Sequence, residues 1–432
     1  MRKILFFLLV LILFGFCTQN QIKNRSEDSG NYHYDIDLTI EPESNFIQVK
    51  GTLQFSVKEE DMDQIEFYLH RQLKIDTFEA DRNISYVIDK SESDIRYIEE
   101  AMKVIMTPKE ILNKGEKIII NFAYHGKITN WPSWSANVIT SDWIEMGLYF
   151  PWFLYHPKWT PFTYRLQVDI NPAYTVFAMG EMEEKNGQKV FKTRSPTNSI
   201  VVCASKDMKI KDTKLLNNSI RIAYYSLSKK TADALLGDLE NIYKLYNEWF
   251  GRKDQDISLV ESKREKGGGY VRIGGLFLSG FADTDYFEKR VGYHRYLGHE
   301  LSHFWWYKAD SNSWQDWLNE SFAEYSALMV IRELIGKKEY DLRLEEYKEE
   351  SQNTPSIWGV SRSHESAHEI LYRKGPVLLS ELEKKIGTGK YIEFCRKMVK
   401  NNISRTSDFL DLLSETNGRE ISSWFEKLLK TR

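Results

Sequence analysis

The chain has 432 residues, enough for two domains, and its composition, 42% hydrophobic and 28% charged, is that of a globular protein. A formal net charge of −3 supplies no basic field, and no basic stripe interleaved with aromatics occurs, which argues against nucleic acid as a partner. Cys17, Cys203 and Cys395 are the only cysteines, too few for a disulfide framework or a cysteine-held metal cluster.

Arg2 and Lys3 precede "ILFFLLVLILFGF", an apolar run from Ile4 to Phe16. The run is too short to span a bilayer and suits the core of an export signal. Cys17 follows, then the polar stretch "TQNQIKNRSEDSGN". A cysteine so placed resembles the lipid-modified cysteine of bacterial lipoproteins. Residues 1–17 are therefore expected to be a signal peptide of lipoprotein type and 18–32 a polar tether. Lipidation at Cys17 would anchor the chain to a membrane of the bacterial cell envelope, outside the cytoplasm. Cleavage after Cys17, with Gly15 and Cys17 as the small residues, is the alternative.

From Tyr34 the pattern has period two. "YDIDLTI" alternates Tyr34, Ile36, Leu38 and Ile40 with polar residues, as a half-buried strand does. "GTLQFSV", "QIEFYLH", "KIIINFAYHG", "YRLQVDI" and "YTVFAMG" continue it, predicting an antiparallel β domain over 33–212. No catalytic constellation is found in it. Beyond 213 the spacing turns helical. "KKTADALLGDLENIYKLYNEWFG" ends on Gly251, a C-cap signal. "ISLVES" and "YVRIGGLFLSG" read as strands, the second following three glycines. Helices are expected over about 285–308, 319–335, 365–386, 388–400, 407–416 and 420–430.

"GHELSHFWWYKADSNSWQDWLNESFAEY" (298–325) carries the chemistry. His299 and His303 are four apart on a predicted helix, so both imidazoles leave one face and can reach one tetrahedral ion at about 2.0–2.1 Å. Glu300 lies beside that face, where it can take a proton from water without ligating. Five letters alone are only moderately specific, since two surface histidines on a helix produce them too. Phe304, Trp305, Trp306 and Tyr307 place the helix in apolar surroundings. Downstream, "WLNESFAEYSALMVIRELIG" reads as a second amphipathic helix with Glu320 at its start.

"HELSHFW" and "WLNE" resemble the gluzincin (HExxH…E) zinc metallopeptidases of the aminopeptidase N and leukotriene hydrolase family. The resemblance makes Glu320 the third zinc ligand, with Glu300 as base and one Zn2+ per chain. Sixteen residues (304–319) separate His303 from Glu320, two fewer than the family's usual spacing. Phe322 occupies the usual position and cannot bind zinc, so the connection around "KADSNS" is expected to be shortened. Glu324, one turn on, is the reserve ligand or, more in keeping with the pattern, an acid that orients a ligand histidine. "HEILYRKGPVLL" matches the family's tyrosine-x-lysine-glycine element, which gives Tyr372 the role of hydrogen-bonding the oxyanion.

The likeness covers almost all of the chain beyond residue 32 and implies a thermolysin-like, mainly helical catalytic domain over 213–432 behind the β domain, an α+β architecture with the cleft between. One departure bears on substrate. Where the family has glycine-alanine-methionine-glutamate-asparagine, this chain has Gly269, Tyr270, Val271, Arg272 and Ile273. Arg272 replaces the glutamate that holds a substrate's free amine, and a guanidinium favours a carboxylate or carbonyl. Gly268 and Gly269 suit an edge strand that lets a peptide approach, and Glu145 is a candidate substitute acid. His364 and His368 read as helix-surface residues near the cleft. The expected activity is peptide hydrolysis, aminopeptidase-like with open specificity. The alternatives are hydrolysis of a non-peptide amide or ester, and a catalytically silent surface binding protein.

Overall fold

The computed structural model describes residues 32–431 apart from 59–62, 92, 96, 159–160, 186 and 266–267. The expected signal peptide, the lipidation site Cys17 and the tether up to residue 31 lie outside the described residues.

Alternation builds the first layer. In Tyr32–Glu41, Tyr34, Ile36, Leu38 and Ile40 are buried and the residues between them are not. This strand sits in a seven-stranded sheet of order Glu181–Lys185, Gln188–Lys192, Thr163–Ile170, Tyr32–Glu41, Phe46–Ser56, Lys117–Lys127, Lys74–Ala80. A four-stranded and a three-stranded sheet complete the β region. Pairing there is antiparallel with one exception: Tyr32–Glu41 runs parallel to Thr163–Ile170. The long stretch of chain between those two strands frees them from hairpin geometry.

The expected boundary at 212/213 falls inside the strand Lys209–Leu215. That strand forms a hairpin with Asn218–Tyr224 and opens the next sheet, which continues with Ile257–Glu261, Gly275–Leu278 and Gly269–Arg272 at its edge. Both faces of this sheet are covered. Ile220, Ile222, Ile257 and Leu259 enter the core beneath the helices, whereas Ala223, Val260, Tyr270 and Phe277 enter the core of the β region. Ile257–Glu261 is consequently buried along its whole length, with no alternation. Cys203 and Cys395 are both unpaired, one in each core.

Helix α1 (Lys229–Phe250) starts on Ser228, whose hydroxyl accepts from the Thr231 N–H at 3.2 Å. After it come α2 (Arg290–Ser302), α3 (Trp317–Leu334), α4 (Lys337–Glu350), α5 (Gly375–Ile386), α6 (Thr388–Lys400), α7 (Thr406–Asn417) and α8 (Arg419–Lys430). Three differ from expectation. The span 285–308 is helical only over α2, past which the chain tightens, the Trp305 N–H donating to the Ser302 carbonyl three residues back at 2.8 Å. The sequence pattern did not reveal α4, which is polar almost all round and buries only Tyr340 and Tyr347. The span 365–386 is interrupted: a short turn, Ala367–Glu369, enters a π-helical segment, Ile370–Lys374, before α5. There the Gly375 N–H donates to the Ile370 carbonyl five residues back, and the Ser321 hydroxyl of α3 donates to the Leu371 carbonyl at 2.7 Å.

Two glycines set close approaches. A Cβ on Gly298 of α2 would lie 3.2 Å from the Ala327 Cα of α3, so the two helices meet almost backbone to backbone. A Cβ on Gly375 would fall 1.9 Å from Ser321 Oγ and 2.4 Å from its Cβ. Gly375→Ala is therefore expected to destabilise the protein by about 1–3 kcal/mol. Gly389→Ala in α6, where nothing lies within 4 Å, should stabilise it by roughly 0.4–1 kcal/mol. Thermal denaturation of the two variants checks both signs, and equal Tm values would overturn this account of the α3–α5 contact.

Candidate metal centre and active site

His299 lies in the last turn of α2. His303 is one residue past its end but keeps right-handed helical backbone angles, φ −61° and ψ −10°, so the two imidazoles still share a face. Glu320 projects from the first turn of α3 toward them. Its Oε2 is 3.4 Å from His299 Nε2 and 3.6 Å from His303 Nε2, and all three donor atoms lie within 4.8 Å of one another. A tetrahedron built on bonds of about 2.0–2.1 Å has edges of about 3.3 Å, so two imidazoles and a carboxylate at this spacing fit zinc. The short connection between the helices is closed by Asn319. Its side chain accepts from the Ala309 N–H at 3.1 Å and donates to the Ala309 carbonyl at 3.0 Å and to Asp316 at 2.8 Å.

Each histidine is held through its other nitrogen. His299 Nδ1 pairs with Glu324 Oε2 at 2.8 Å, and His303 Nδ1 with the Trp306 carbonyl at 3.0 Å, which turns both Nε2 atoms toward the donor cluster. Glu324 is fully buried and also accepts from Arg295 at 2.7 Å and from the Tyr347 hydroxyl. Burial opposes its charge, but Arg295, His299 and Arg373 outweigh burial and hold its pKa well below the usual value. Burial likewise opposes protonation of His299, yet Glu320 and Glu324 prevail and lift its pKa to about 10. A metal held here would compete with the proton for His299 Nε2.

Glu300 is buried beside the trio, and its Oε2 has no hydrogen-bond partner among the described residues. Burial is the largest influence on it and raises its pKa. Tyr372, in the π-helical segment, lies over His299 with ring centroids 5.6 Å apart and faces Glu320 and Arg362. Burial keeps its phenol protonated far above the ordinary range. His368 also stacks on Tyr372, at 4.8 Å, a contact beyond the surface role expected of it, whereas the His364 ring accepts from the Ser366 N–H in a local turn.

The cleft passing these groups is lined by Arg272 and Gly269 of the edge strand, together with Asn198, Lys253, Gln255 and Arg362. Arg272 lies against the rings of Tyr149 and Tyr270, at 4.8 and 4.7 Å, which themselves meet edge to face. Gly268, at φ 72°, stands just outside the strand, its carbonyl accepting from Ser279. Glu145 does not line the cleft. It is wholly buried, accepting from Trp143, Ser262 and Tyr270 at 3.3, 2.7 and 2.8 Å, so the expectation that it substitutes for an amine-binding acid is corrected: its oxygens already serve three donors. Sequence reasoning missed Arg362, Lys253, Gln255 and Asn198, which sit in connections without periodicity. Asn319 and Asp316 stood inside the quoted block but were given no role.

Residues 287–428 match the peptidase family M1 domain. Aminopeptidase N of Streptomyces lividans is 25% identical over 151 residues, a match covering 31% of this chain and 18% of that protein. An M1 zinc metallopeptidase of Deinococcus radiodurans, solved as a variant with a Tyr-Ser-Ala substrate, superposes with TM-score 0.69 at 19% identity over 93% of this chain and 94% of that one. Native yeast leukotriene A4 hydrolase gives TM-score 0.67 at 16% identity, covering 93% of this chain and 68% of that one. Residues 287–428 are thus similar to the peptidase family M1 domain, and the described residues share the two-domain fold of the solved M1 zinc metallopeptidases.

Proposed function

We propose that this chain is a zinc-dependent peptidase in which His299, His303 and Glu320 hold the metal. The observation that carries this reading is the convergence of that donor trio, the Glu300 Oε2 that meets no hydrogen-bond partner among the described residues, and the phenol of Tyr372 stacked on His299. When bound, one zinc per chain supplies Lewis acidity that acidifies water and polarises a peptide carbonyl. Glu300 takes the water's proton at its carboxylate and returns it to the leaving amine nitrogen. Tyr372 donates its hydroxyl to the carbonyl oxygen as that oxygen gains charge. Glu324 and the Trp306 carbonyl fix the two imidazoles throughout.

Glu300→Gln should retain about one zinc per chain and lose peptide hydrolysis, whereas His303→Ala should lose the metal. Tyr372→Phe should keep zinc and KM and lower kcat by about 10²–10³. Elemental analysis paired with peptide hydrolysis reads all three. A protein that neither contains zinc nor takes it up would end the assignment.

Specificity is set at the edge strand. Gly269–Arg272 pairs with Gly275–Leu278 on one side and lines the cleft, the arrangement in which a peptide adds as a further strand. Arg272 there repels a free ammonium, so the enzyme departs from strict aminopeptidase action. Peptides with acetylated N-termini are expected to be cut at least as fast as free ones, away from the first bond. Mass spectrometry of a mixed library decides it; release of single N-terminal residues from free peptides alone would restore the aminopeptidase reading. For location, the apolar run 4–16 followed by Cys17 supports an acyl-anchored envelope protein, which the intact mass of detergent-extracted chain tests.

A further inference from the structure

Lys253 stands in the connection between α1 and the strand Ile257–Glu261, and its backbone is pinned. Its N–H donates to Asn247 Oδ1 at 2.7 Å, and its carbonyl accepts from Asn218 and from the Tyr243 hydroxyl, both at 2.9 Å. The side chain extends over Trp305, with Nζ 6.0 Å from the ring centroid, and lines the same cleft as Glu300, His303 and Glu320. No acceptor meets its ammonium among the described residues, and the charged or titratable groups acting on it are Tyr307 and Lys308, the second of like sign. Burial, reinforced by Lys308, depresses its pKa.

The acids that line the cleft have other tasks. Asp316 faces Arg362 at 3.2 Å and accepts from Asn319, Glu320 faces the two histidines, and Glu300 is the proton carrier proposed above. A cation held on a rigid backbone, half sunk against an indole and lacking a counter-ion, is a ready anion site. We propose that Lys253 anchors a carboxylate of the substrate, carried either by an acidic side chain or by a free C-terminus. This rests on the peptidase reading and deepens it: the cleft selects peptides that bring a negative charge to Lys253.

The test uses the full zinc-loaded chain and matched peptide pairs, Glu against Gln at each position and free against amidated C-terminus. The wild type should favour the carboxylate-bearing member of one pair by about tenfold or more in kcat/KM. Lys253→Met, which keeps the apolar stem, should bring that ratio close to one, and Lys253→Arg should retain most of it. The pair that shows the preference identifies the source of the carboxylate. An active wild type indifferent to charge, or a preference unchanged in Lys253→Met, overturns the proposal. Fluorescence titration of the same peptides into Glu300→Gln, with and without Lys253→Met, reads the preference without turnover. A charge preference there that depends on Lys253 upholds the subsite even if no peptide is cut, in which case only the peptidase reading falls; its absence sinks the subsite.

Discussion

A carboxylate with no exposure at all, Glu324, holds the working end of the molecule together. Its two oxygens receive His299 from α2, Arg295 from the same helix and Tyr347 from α4, while Arg373 of the π-helical segment approaches to 4.0 Å. A lone buried charge would be costly, and removing one partner of a buried pair typically costs about 3–5 kcal/mol. Here the desolvation is offset by two guanidinium groups and a phenol, so the charge persists and orients the imidazole. Helices α2 and α3 and the π-helical segment, which carry the proposed zinc ligands and oxyanion donor, are registered on this one group together with α4.

How much of this was legible in the sequence depended on local periodicity. His299, Glu300 and His303 could be read because helical spacing puts them on or beside one face, whereas Glu320 and Tyr372 were read from short blocks that resemble the gluzincin family's. The helix boundaries around them were not. Phe304–Tyr307 reads as a continued apolar helix, yet the chain turns at His303, and that turn brings the Trp306 carbonyl to His303 Nδ1. Helix α4 escaped notice because a helix with two buried tyrosines has almost no apolar stripe, although one of those tyrosines reaches Glu324. The hairpin 209–224 was divided at 212/213 because its strand character belongs to a sheet completed only by residues far downstream.

Substrate-facing residues were the least legible. Glu145 sits in a strand whose alternation says nothing about where a carboxylate points, and it points into the seam between the two cores. Its contact with Tyr270, which in turn stacks against Arg272, still ties the β region to the cleft wall. The β region therefore helps shape the wall without supplying a group to the chemistry. Lys253 and Arg362 come from loops, where only the closed fold reveals a shared cavity.

The π-helical turn at Ile370–Lys374 means that the aim of Tyr372 is encoded partly by a count of residues. Each residue added to or taken from a helix rotates the residues beyond it by about 100°, so losing one residue here would restore ordinary winding and throw the phenol or α5 out of phase. Ser321, bonded to the Leu371 carbonyl, comes directly after Glu320 in the chain. Glu320 and Tyr372, the proposed metal ligand and oxyanion donor, are thereby geared to one another. A single-codon deletion in this segment would therefore displace both groups at once.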